Sequence, residues 1–93
     1  MGSEQRSMPE ISRFFGISIR LYYADHAPPH FHALYGDDEL IVGMSPIRII
    51  AGHSSARVRS MVLEWTALHQ QELLVDWQRC RDAEAPLPIA PLE

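Results

Sequence analysis

Three of the five histidines fall within seven residues, in the run Asp25-His26-Ala27-Pro28-Pro29-His30-Phe31-His32-Ala33. Imidazole exchanges protons near neutral pH and is also the commonest protein ligand for metals. A carboxylate, Asp25, opens the run, and the Pro28-Pro29 pair stiffens the backbone ahead of His30. On a strand, His30 and His32 project from one face and Phe31 from the other, with the two histidine Cα atoms roughly 6–7 Å apart. His26 and Asp25, held on the preceding loop, reach toward the same spot. Three readings stand side by side. In a structural role the histidines cap loop carbonyls and pack on Tyr22 or Tyr35. In an acid–base role His30 and His32 serve a phosphodiester, oriented by His26 and Asp25, while Arg20 stabilises the charged phosphorane. In a metal role His-x-His with His26 or Asp25 gives three ligands and leaves one position free, as catalytic zinc requires. This spacing is much less specific than a paired CxxC or a helical HExxH. No organic cofactor is indicated, and the residues leave open whether a metal binds.

The elements that must position these groups follow from periodicity. Gly16 opens a strand in which Ile17, Ile19, Leu21 and Tyr23 alternate with Ser18, Arg20 and Tyr22. Residues 24–29 form a loop, and a second strand over 30–35 ends at the turn signal Gly36-Asp37-Asp38. Residues 39–44 and 47–51 read as two further strands, and the short connections imply an antiparallel meander of about four. Ser54 or Ser55 is a natural N-cap for a helix from 56 to about 83, with room for one kink. Val58, Val62, Trp65, His69 and Leu73 share one helical face, widened by Met61 and Leu68. A helix this apolar must cover a face of the sheet. The expected fold is therefore α+β, a small antiparallel sheet covered on one face by a long C-terminal helix. Residues 9–15 read as a short lead-in, and Leu87, Ile89 and Leu92 of the proline-rich tail are placed along the domain. His69 reads as a core histidine, with Glu64 and Glu72 pointing elsewhere on a straight helix. His53 reads as local capping chemistry, and Trp65 and Trp77 as core or partner-facing anchors.

Composition bounds the rest. Ninety-three residues suit a single domain with one modest core over 8–93, behind a polar stretch, 1–7, read as a disordered leader or expression remnant. A net charge of −4 argues against wholesale wrapping of nucleic acid, although all eight cations are arginine and none is lysine. The single cysteine, Cys80, excludes an internal disulfide and fits a reducing cytoplasm. No apolar run is long enough to span a membrane, so no membrane partner is expected.

The motifs MPEISRFFGISIRLYY (8–23), DHAPPHFHALYG (25–36), LEWTALHQQELLVDW (63–77) and PLPIAPLE (86–93) resemble a bacterial family of short proteins, domain-of-unknown-function family forty-one-sixty. Leu34 departs from the polar or acidic residue often found there. Members resemble components of type II toxin–antitoxin pairs, encoded beside a small protein of domain-of-unknown-function family twenty-four-forty-two. The resemblance implies a cytoplasmic toxin-like protein neutralised by that antitoxin-like partner. Joined to the histidine cluster, it makes RNA or another phosphate-bearing molecule the expected target. A non-enzymatic binding module acting through a partner protein, and a small metal-binding protein, are the alternatives.

Overall fold

The computed structural model describes residues 8–93; the expected leader, 1–7, lies outside them. Five strands form one antiparallel sheet in sequential order: β1 (Glu10–Phe14), β2 (Ile17–Arg20), β3 (His30–Tyr35), β4 (Asp38–Met44) and β5 (Ile47–His53). Two helices follow, α1 (Ala56–Leu68) and α2 (Gln70–Arg81). The α+β class and the antiparallel meander hold, but there are five strands rather than four and two helices rather than one.

The additional strand is β1, where only a lead-in was expected. Its register against β2 slips between Glu10 and Ser12, so Ile11 is an extra residue, and Ile11 and Ser12 are both buried. That bulge breaks the alternation by which a strand is recognised. Phe15 and Gly16, at φ 50° and 81°, make the two-residue turn into β2. β2 itself stops at Arg20 rather than Tyr23. Leu21 stays buried with its N–H donated to Pro9 O, and Ala24 turns the chain at φ 56°.

The helical stretch is interrupted at His69, which has φ −123° and ψ 25°. Its N–H is shared between the carbonyls of Thr66 and Trp65. One turn earlier the buried Thr66 hydroxyl donates to Val62 O at 2.7 Å, a back-bond that bends helices. Ser55 is the N-cap, its hydroxyl accepting from Val58 N–H.

Trp65 lies at the centre of the core, fully buried, with Phe14 and Phe31 at ring separations of 5.4 and 5.8 Å. Val58, Val62 and Leu73 are buried beside it, each contributing about 1.5–3 kcal/mol by leaving water. Leu68, placed on the apolar stripe by its spacing, is instead 65% exposed, because the bend comes immediately after it. Residues 84–93 run back along the domain. Ile89 is buried and donates its N–H to Ile11 O, and the Trp65 indole N–H donates to Ala90 O at 2.8 Å. Leu87 is half exposed, but its backbone N–H is held by Asp76. Among the described residues no helix is long and apolar enough to cross a membrane.

Candidate metal centre

Strand β3 places His30 and His32 on one side of the sheet and buries Phe31 and Ala33 on the other, as alternation requires. The loop between β2 and β3 brings Asp25 over them. Pro29 O, accepting from Met44 N–H at 3.0 Å, ties that loop to β4. The imidazoles are 5.5 Å apart between ring centroids, and both side chains are 12% exposed. Tyr22 packs on His32 at 4.4 Å, and Trp77 of α2 lies 5.2 Å from His30.

Hydrogen bonding fixes how each ring presents its nitrogens. His30 Nδ1 is 2.7 Å from Pro28 O. A carbonyl only accepts, so Nδ1 carries the proton and donates. His32 Nδ1 is 2.7 Å from Glu39 Oε2, where the carboxylate is again the acceptor. In the neutral rings both Nε2 atoms therefore hold lone pairs. His30 Nε2 lies 2.9 Å from Asp25 Oδ2, and His32 Nε2 lies 3.8 Å from the same oxygen. Asp25 itself is oriented, since its other oxygen, Oδ1, accepts the His26 backbone N–H at 2.9 Å. Three electron pairs thus converge on one point, with all the candidate ligand atoms within 4.8 Å of one another. His32 Nε2 is buried and has no hydrogen-bond partner among the described residues.

A proton can join His30 to Asp25, but it leaves His32 Nε2 without a partner, and an unpaired buried polar atom costs about 1–3 kcal/mol. One divalent cation accepts all three pairs. With bonds of about 2.0–2.2 Å, ligand atoms on neighbouring coordination positions sit roughly 3–3.5 Å apart. Asp25 Oδ2 stands 2.9 and 3.8 Å from the two imidazole nitrogens, within a few tenths of an ångström of that range. Two imidazoles and one carboxylate on one side of an ion leave its remaining positions for water or substrate. Both Nδ1–H groups are already anchored by oxygen acceptors, the arrangement that holds metal-binding histidines in orientation.

The remaining candidates from the sequence sit differently. His26 is 94% exposed, with its ring Nδ1 3.4 Å from Asp25 Oδ1 on the solvent side. Arg20 pairs with His32 in the strand register, but its guanidinium donates to Ser18 Oγ and Met8 O, both at 2.9 Å, and lies 3.8 Å from Glu10. The same polar knot acts on Glu10. The Ser18 hydroxyl bond, helped by Arg13 and Arg20, outweighs desolvation and lowers the Glu10 carboxyl below its usual range. His69 is outside the cluster, its ring tilted against Trp65 at 5.4 Å and donating to Glu72 Oε1 at 2.5 Å. Glu72 stands three residues on, a spacing that makes side chains neighbours on a helix, so it faces His69 rather than pointing elsewhere. His53 ends β5 and is exposed.

Glu39 is the site residue that the motif did not contain. Its signal was the hairpin register: with Gly36-Asp37 as a two-residue turn, Tyr35 faces Asp38 and His32 faces Ile41. Glu39, two residues before Ile41, is then a diagonal neighbour of His32 on the same face.

The fold and the site together define a small α+β domain whose sheet carries a two-histidine, one-carboxylate cluster. The sequence profile of the family described as Domain of unknown function (DUF4160) matches residues 16–78, which include every residue of that cluster, and the chain belongs to this family. No curated protein and no solved structure matches the chain.

Proposed function

We propose that this domain is a metal-binding protein that holds one divalent cation through Asp25 Oδ2, His30 Nε2 and His32 Nε2. The observation that carries the proposal is the convergence of these three lone pairs, with both imidazole Nδ1 positions already committed to acceptors. The ion supplies what the protein's own groups do not, a Lewis acid able to polarise a phosphoryl or carbonyl oxygen and to lower the pKa of bound water. The test is elemental analysis of the untagged full chain after loading with Zn2+ and dialysis. One equivalent is expected in wild type and in His26→Ala, and loss is expected in His30→Ala and His32→Ala. Wild type that retains no more metal than the double variant His30→Ala, His32→Ala refutes the assignment.

In the toxin–antitoxin setting implied by the family resemblance, such a centre would act on RNA or another phosphate-bearing target, and a small partner protein would cover it. A cluster oriented by backbone and carboxylate anchors supports a working site over a role in packing alone. Induction in a bacterial host is the check: growth arrest by wild type that the double histidine variant relieves supports this reading, and equal growth of the two defeats it.

A further inference from the structure

We infer that Glu39 is a positioning residue of the metal centre, acting through His32, and that Gly52 of the neighbouring strand fixes where Glu39 stands. This inference rests on the metal-binding reading above. Glu39 lies on β4 and touches none of the converging lone pairs. Its Oε2 accepts from His32 Nδ1 at 2.7 Å, which sets both the tautomer and the plane of that ring. His30 is oriented differently, by the backbone carbonyl of Pro28 in its own loop. The two imidazoles are therefore anchored to separate parts of the fold, and only His32 depends on a side chain.

The backbone of Glu39 is in turn constrained from β5. Gly52 sits at φ +83° directly across from Leu40. A Cβ at residue 52 would lie 2.1 Å from Glu39 O and 3.0 Å from Glu39 C, so any side chain there would force the two strands apart at this point. The β4–β5 register also slips between Ile41 and Val42, with Ile50 as the additional residue, which bends β5 next to this contact. Contact therefore runs from Gly52 to the Glu39 backbone and from the Glu39 carboxylate to His32, whose Nε2 would hold the ion. Oxygen acceptors behind metal-binding imidazoles typically change metal affinity by about 10–100-fold when removed.

The experiment is a Co2+ titration of the full chain followed by its visible absorption, with Zn2+ affinity from competition against a chromophoric chelator. Glu39→Gln keeps the size of the side chain and removes its charge. It is expected to bind one ion per chain with affinity about 10–100-fold weaker and an altered Co2+ spectrum, while the metal-free melting temperature stays near wild type. Gly52→Ala is expected to weaken binding in the same direction although residue 52 contacts neither ligand nor metal. Glu64→Gln, on the exposed face of α1, is expected to bind as wild type does. Wild-type affinity and spectrum in Glu39→Gln overturn the positioning role and leave the metal site standing. A wild-type chain that takes up no Co2+ overturns the metal site and this inference together.

Discussion

Saturating the chain with Zn2+ should raise its melting temperature, and the size of the shift can be worked out. The proposed ligands tie residue 25, in the loop between β2 and β3, to residues 30 and 32 at the start of β3. A ligand that binds only the folded state at 100 times its dissociation constant stabilises it by about 2.7 kcal/mol. For a domain of this size each kcal/mol is worth roughly 4–8 °C, so the full shift is roughly 10–20 °C. The unfolded chain still carries its histidines and aspartate within a few residues of one another, and metal bound there reduces the gain. The assay is thermal unfolding followed by circular dichroism, in chelator and then at rising Zn2+. The metal-free midpoint provides the reference, and His26→Ala should shift as wild type does. His32→Ala should show no metal-dependent shift. Identical midpoints in chelator and in saturating Zn2+, or a shift that survives loss of both His30 and His32, would refute the reasoning.

Two further outcomes follow from buried groups on α2. Asp76 is 1% exposed, and burial raises its carboxyl above the usual value of 3.8, partly offset by the Leu87 N–H bond. A raised carboxyl pKa favours the fold below the unfolded value and loses that contribution as pH climbs through the folded one. Asp76→Asn, whose side-chain carbonyl can still accept from Leu87, should therefore gain stability relative to wild type as pH rises from about 4; a difference that is flat or falls with pH counts against the argument. The Cys80 thiol is pushed up to about 11, first by burial and then by the Asp76 carboxylate. Iodoacetamide should accordingly label Cys80 slowly in the native protein at mildly alkaline pH and rapidly in denaturant, and equal rates would contradict its burial.

Much of the candidate site was legible before the fold was known. His30 and His32 share a face because strands alternate, and that needed only the Gly36 turn signal and the residues of β3. Asp25 was already in the motif. What could not be read there was which nitrogen each ring presents, since that depends on Pro28 O and Glu39 Oε2, one in the loop and one on the next strand. Arg20 was placed by alternation alone, while its guanidinium is directed by Ser18 and Met8. The α+β class was likewise plain from two periodicities. β1 was missed because its bulge at Ile11 erases the alternating pattern; the one kink allowed in the helix could not be placed at His69 because the apolar spacing of Trp65 and Leu73 continues through it.

The indole of Trp65 receives its hydrogen-bond acceptor from a carbonyl 25 residues further along the chain, at Ala90, and the same passing segment lays Ile89 against the first strand. A ribosome releases residues in order, so a nascent chain can assemble the meander and both helices before this last cover arrives. Until residue 90 clears the exit tunnel, the largest side chain of the interior stays roofless on one side. Chaperones and proteases would meet the emerging polypeptide in that state.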